Sequence, residues 1–407
     1  MQICRSSFQL LFFLIASIFS VFMAGCVYPY DPQSEPLLQV PSGDQTASFV
    51  RVFPVNGTAQ ICNPSIVQDT LTFPGCMLWL NFSGELQVNV PDSLSTFSGW
   101  SLQHDRLTIV DTSNTVRWFI KRSAFGAGEQ EELQDPEWSA HPEYLVCLLS
   151  TNGAQKWGCY AVHPKSDSYL QLCSDGLNQT STPHLWVDHR FSIGTVPDTV
   201  RFDEDGCADS ASVAAFFGTN RVKLVASKLT GRTLSLYYRD FSDVSGTWIP
   251  LERPAGRDGW QCESPLISPD GNWIVFNAYD SPKNYEVYLQ RLAPGASPIL
   301  FSEHASDPHW WVHPSDSSLV YIVYQIVPDD NLVFGDLSDE EMQTTGELGI
   351  TWQQRIRLFP GAATASASLV RDGNPELLVA LPTKGGRSPD GRYLCTGYDR
   401  AFIVGLP

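Results

Sequence analysis

The 407-residue sequence predicts an all-β fold made of a short unit that returns along the chain. Two observations carry that reading. The first is a phrase that occurs twice, "SPDGNWIVF" at 268–276 and "SPDGRYLCT" at 388–396. In each copy Pro fixes φ, Asp and Gly reverse the chain, and the residues that follow suit a strand. Ser268, Pro269, Asp270 and Gly271, and again Ser388, Pro389, Asp390 and Gly391, make up the turn. The second observation is that helical periodicity is nearly absent beyond the first two dozen residues. Short apolar runs recur instead, in pairs separated by Pro, Gly, Asn and Asp: 106–110 with 116–120, 144–149 with 158–162, 222–226 with 234–238, and 273–278 with 286–292.

Residues 1–25 read as an export signal. Arg5 precedes an apolar run from Phe8 to Met23 that is short for a membrane span. Met23-Ala24-Gly25-Cys26 then resembles the cleavage box of bacterial lipoproteins, which implies an acylated Cys26 as the first mature residue. Val27 stands where an Asp would resemble an inner-membrane retention signal, so the expected location is the cell envelope, lipid-anchored at the outer membrane. Residues 26–45 are rich in Pro, Ser and Gln without a period and are expected to be a flexible tether. The segment 46–98 alternates as strand and is expected to close a ring, with a small separate β domain as the other reading.

Between 99 and 407 the unit can be counted. Pro142, Pro183, Pro265 and Pro308 open comparable phrases, at separations of 41, 82 and 43 residues. Taking 82 as two units puts one start near Leu224; further starts fall near Gly99 and Gly385. Four short strands every forty-odd residues are the pattern of a β-propeller blade. The expectation is a single propeller of seven blades, with six or eight left open, and an acidic loop insertion near 328–350.

The phrase "SPDGNWIVFNAYD" followed by "YEVYLQRL" resembles the repeat of TolB-type propellers. Asp270, Gly271, Asp390 and Gly391 match that repeat residue by residue. The resemblance implies a scaffold and carries no catalytic residues with it.

Composition narrows the partners. The formal charge is −18, and −19 once residues 1–25 leave with Arg5, so nucleic acid is disfavoured and membrane attachment rests on the lipid alone. Ten cysteines become eight when Cys4 is cleaved off and Cys26 is acylated, an even number suited to disulfides in an exported chain. Cys147 and Cys159 lie six residues either side of Gly153, so a turn centred there pairs them; Cys62 with Cys76 is the second expected pair.

Chemistry is thinly signalled. There is no Gly-x-Ser-x-Gly elbow and no Gly-rich phosphate loop. His309 and His313 share a strand face and could line a channel, but histidines satisfied by backbone groups are the simpler account, so no metal or cofactor is expected. Trp310, facing away from Trp311, is the aromatic candidate for binding. The function expected is that of an envelope lipoprotein acting as a binding scaffold, not an enzyme, for a protein partner or for peptidoglycan or polysaccharide. The alternative is a glycan-active propeller using channel carboxylates, for which Asp188, Asp203 and Glu263 are interchangeable choices.

Overall fold

The computed structural model describes residues 49–53, 60–83 and 88–97 and, with short breaks, 104–312; beyond these it describes strands at 320–326, 353–359, 371–378, 393–397 and 401–405. Cys26, the tether, His313, the second Ser-Pro-Asp-Gly turn and the 328–350 insertion lie outside the described residues.

Among the described residues twenty-three strands form six sheets, five of four strands and one of three. The chain enters with β1 (Phe49–Phe53). The first blade is β2 (Gln60–Ile66), β3 (Met77–Ser83), β4 (Arg106–Val110) and β5 (Val116–Lys121). The second is β6 (Leu133–Trp138), β7 (Leu145–Thr151), β8 (Lys156–His163) and β9 (Ser168–Leu177). The third is β10 (His184–Val187), β11 (Val222–Thr230), β12 (Thr233–Asp240) and β13 (Ile249–Pro250). The fourth is β14 (Gln261–Ile267), β15 (Trp273–Ser281), β16 (Asn284–Arg291) and β17 (Ile299–Glu303). The fifth sheet is β18 (Ala305–Val312), β19 (Val320–Ile326), β20 (Gln353–Phe359) and β21 (Arg371–Leu378). The last joins β22 (Tyr393–Gly397) and β23 (Ala401–Gly405) to β1, with Phe49 opposite Gly405 and Phe53 opposite Ala401. The two ends of the chain thus share one sheet, which leaves fewer free edges.

Each four-stranded sheet is a meander of neighbours in sequence, the blade arrangement of a propeller. Its middle strands are buried on both faces, and so β4 is buried at all five positions and β8 at seven of eight. The seams between blades are the hydrophobic cores. Leu78, Leu107 and Ile109 meet Leu145, Cys147 and Val162 between the first and second blades. Val146, Leu148 and Leu172 meet Leu185, Leu224 and Phe217 between the second and third. Trp186 and Val225 meet Ile274 and Phe276 between the third and fourth.

The repeated turn has two requirements. Gly271 has φ +73°, in the left-handed region, and a Cβ there would come within 2.5 Å of the Trp186 indole from the neighbouring blade. Asp270 accepts from the Ser268 hydroxyl (2.5 Å) and from the Asn272 backbone N–H (3.1 Å), while Ser268 Oγ accepts from Trp273 N–H (3.0 Å). The turn is therefore both a hairpin corner and a shelf for the next blade's tryptophan.

Three sequence expectations need correction. The expected count of seven is not reproduced among the described residues, because the unit placed near Leu224 is β11, the second strand of the blade begun by β10. The 82-residue interval comes from an insertion, 188–221, that holds the helix α1 (Ser210–Phe217). Its stop signals are local: Asp209 caps it by accepting from Ser212 N–H at 2.7 Å, and Gly218 ends it at φ 71°. Second, the unit placed near Gly99 begins earlier, since β2 and β3 pair into the same sheet as β4 and β5. Third, Pro142 stands in a hairpin turn, whereas Pro183, Pro265 and Pro308 stand at blade entries; the entry proline of the second blade is Pro136.

The expected disulfides also differ. Cys147 and Cys159 are free, buried thiols. In the hairpin Leu148 pairs with Cys159 and Cys147 with Tyr160, so the loop centre lies half a residue beyond Gly153. That shift sends the two sulfurs to opposite faces of the sheet, Cys147 into one seam and Cys159 into the next. Cys76 is likewise free, which removes its pairing with Cys62. Among the described residues a disulfide joins Cys173 to Cys207, two cysteines for which the sequence offered no pairing.

Candidate functional site at the blade axis

Four blade entries carry the same local device. Asp135, Thr182, Ser264 and Asp307 have φ of 42°, 30°, 49° and 49°, and a proline follows each. At 134–137, 263–266 and 306–309 the strand register slips, so each entry is a bulge. A left-handed non-glycine residue costs about 1–3 kcal/mol and persists only where its surroundings over-determine it, a condition found mostly at functional positions. Here inter-blade hydrogen bonds over-determine it. Thr182 Oγ1 accepts from Ser264 N–H (3.0 Å), and Asn277 Oδ1 accepts from Asp307 N–H (3.0 Å).

The bulges turn their side chains to one place. Asp135, Pro136 and Glu137, Thr182 and Pro183, Ser264 to Leu266, and Asp307 to His309 line a single axial recess of about 20 Å³, room for about one water molecule. Glu137 is one of the lining residues, with 14 % of its side chain exposed. Its Oε1 accepts from the Ser65 hydroxyl of the first blade at 2.5 Å, and its Oε2 lies 3.8 Å from His309 Nε2 of the fifth. Burial alone raises a carboxyl's pKa, but His309 3.8 Å away, the Ser65 hydroxyl and nearby His184 outweigh it and hold Glu137 below its ordinary value. His184 is pushed down to about 4, chiefly by burial, and its Nδ1 accepts from Ile267 N–H at 2.9 Å. The neutral ring is thus a fixed acceptor between the third and fourth blades.

Of the residues singled out from sequence, His309 reaches this recess. Trp310 does not: its Nε1–H donates to Leu266 O at 2.8 Å and its ring packs in the seam between the fourth and fifth blades. The three carboxylates considered for glycan chemistry are spread apart. Asp188 pairs with Arg221 at 2.9 Å, Asp203 with Arg239, and Glu263 accepts from the Tyr279 hydroxyl at 3.1 Å. Among the described residues no three His, Cys, Asp or Glu side chains are grouped to hold a metal ion. The residues that do converge, Asp135, Glu137 and Asp307, carry a signal in the phrases "DPEW" and "DPHW", whose spacing is shared.

A second cleft lies at the seam of the third and fourth blades, lined by Trp186, Asp188, Arg221, Lys223, Asp240 and Asn272 among others. Its polar groups are committed internally: Lys223 Nζ donates to Gly271 O at 2.7 Å and stands over the Trp186 ring, 5.5 Å from its centre.

No family model matches the chain, and no curated protein matches it. Among solved structures it is similar to TolB from Acinetobacter baumannii, at 11 % identity and a TM-score of 0.41, over 82 % of this chain and 64 % of that one. It is also similar to a protein of unknown function from Dyadobacter fermentans, at 10 % identity and 0.46, over 89 % and 99 %. A third is an oligogalacturonate lyase in complex with manganese, at 12 % identity and 0.39, over 87 % and 91 %. The chain spans 41 % of the length of a prolyl endopeptidase that it also matches. These likenesses go with a propeller and carry nothing about activity; the propeller itself rests on the sheet order above.

Proposed function

We propose that this chain is an exported propeller, lipid-anchored at Cys26 in the cell envelope, that works as a binding scaffold for a protein partner. The partner docks at the axial mouth through a basic segment. One observation carries the reading: strained Asp-Pro corners of separate blades bring Asp135, Glu137 and Asp307 to one recess, on a chain of net charge −18. Converging carboxylates with an ionised Glu137 favour a cationic side chain and disfavour anions. The fixed backbone around the recess adds recognition without much ordering cost.

The test is affinity purification from detergent-solubilised envelope with the mature chain and with a D135N/D307N variant. Capture of a basic partner that weakens with salt, and is lost in the variant, is the expected result. The same captured proteins with the same salt dependence in both would overturn it. A second reading, glycan cleavage, draws on the same three carboxylates; release of reducing ends from purified cell-wall polysaccharide, abolished by E137Q, is its distinguishing result.

A further inference from the structure

Three cysteines stand side by side on neighbouring strands at the seam of the second and third blades. Cys159 on β8 is directly opposite Cys173 on β9. Cys173 is in turn opposite Cys207 of the 188–221 insertion, through an isolated antiparallel bridge. Two backbone hydrogen bonds flank that bridge, Ser174 N–H to Gly206 O (2.7 Å) and Ala208 N–H to Leu172 O (2.8 Å). Cys173 and Cys207 are disulfide-bonded, Cys159 is free, and all three belong to one buried cluster with Trp157, Leu172 and Phe216. Directly opposed residues of an antiparallel pair project to the same face with Cβ atoms about 4.5–5.5 Å apart. Cys173 thus faces Cys207 on one side and Cys159 on the other, the latter pair lying between two register shifts of β8 on β9.

We infer that this triad is a thiol–disulfide exchange site, in which Cys173 can transfer its bond from Cys207 to Cys159. The Cys159 thiol gives up its proton and its sulfur attacks Cys173 Sγ. As the Cys159–Cys173 bond forms, the Cys173–Cys207 bond breaks, and Cys207 leaves as a thiolate that takes up a proton. One disulfide is exchanged for another, so no oxidant or reductant is consumed. The structural result is a change of tether. In one state the insertion carrying α1 is tied covalently to the second blade; in the other it is held there by hydrogen bonds and packing, and β8 is stapled to β9.

Burial raises the Cys159 thiol well above its ordinary value, and the neighbouring Cys147 adds to the rise. The step is therefore slow near neutral pH, and its rate follows the small thiolate fraction. Raising the pH by one unit increases that fraction, and the exchange rate with it, about tenfold. This inference is independent of the axial site.

Trypsin separates the three sulfurs, because Lys156, Lys165, Arg190, Arg201 and Arg221 place them in peptides 157–165, 166–190 and 202–221. The mature chain is incubated at pH 7, 8 and 9, its free thiols are blocked in acid denaturant, and the unreduced digest is mapped by mass spectrometry. The expected result is a 157–165/166–190 linkage that accumulates about ten times faster per pH unit, with alkylated Cys207 rising in step. A Cys207→Ser variant, oxidised in air, is expected to form that linkage as its main product. The inference is overturned if the wild-type digest holds only the 166–190/202–221 linkage at every pH. It is equally overturned if folded Cys207→Ser protein leaves Cys159 and Cys173 both alkylatable. Should that variant fail to fold, the wild-type time course decides.

Discussion

Replacing Gly271 with Ala tests how the repeated turn couples two blades. At φ +73° an alanine is strained whatever space it has, at about 1–2 kcal/mol. The new methyl also falls 2.5–2.7 Å from three carbons of the Trp186 indole, so the ring must shift, an overpacking cost of about 1–3 kcal/mol. A shifted ring loosens the Nε1–H bond to Pro269 O, now 2.9 Å, worth about 1 kcal/mol. The expected destabilisation is about 3–6 kcal/mol. Gly231 supplies the control, because its φ is +68° with nothing within 4 Å of an added Cβ, so Gly231→Ala carries the backbone strain alone, about 1–2 kcal/mol. Urea unfolding of each variant, followed by tryptophan fluorescence, compares the midpoints. Equal shifts for the two variants would refute the claim that Gly271 is required by the adjoining blade's tryptophan.

Further outcomes can be checked alongside. His184 and His104 are both pushed from 6.5 to about 4, mainly by burial. Each neutral ring contributes stability that is complete above pH 6.5 and is lost as pH falls towards 4, up to about 3 kcal/mol apiece. Denaturant midpoints should therefore drop across that interval, and His184→Gln should remove about half of the slope. Glu137 is also held below its ordinary value of 4.5, so its contribution is present above that value and disappears at still lower pH. Glu137→Gln keeps a hydrogen-bonding group for Ser65 but removes the charge facing His309; a loss of about 1–3 kcal/mol at pH 7 that shrinks as pH falls below 4.5 is the expected result. Cys76, Cys147, Cys159 and Cys262 are buried thiols. Native protein should leave these four unlabelled by a thiol reagent, and denatured, unreduced protein should show them by peptide mapping.

The turn at 268–271 and the paired middle strands were legible because both depend on neighbours in sequence. "RLTIV" is β4 and "VRWFI" starts β5, residue for residue. What escaped was set over longer distances. A loop whose centre moves by half a residue reverses the face of every later side chain, and so defeated the pairing of Cys147 with Cys159. An eight-residue helix is too short to show a period, though its cap at Asp209 and its stop at Gly218 were readable. Prolines serve both hairpin corners and blade entries, and only strand pairing separates Pro142 from Pro136. His309 could be placed on a strand face; that the face meets Glu137 from three blades earlier could not be read from either phrase.

That meeting has a mechanical consequence. A wheel joined only rim to rim can deform into an oval while each joint hardly moves. The contact between Glu137 and His309 runs like a spoke between sectors that have no border in common. A displacement of either sector therefore bears on the other through that contact as well as around the circumference.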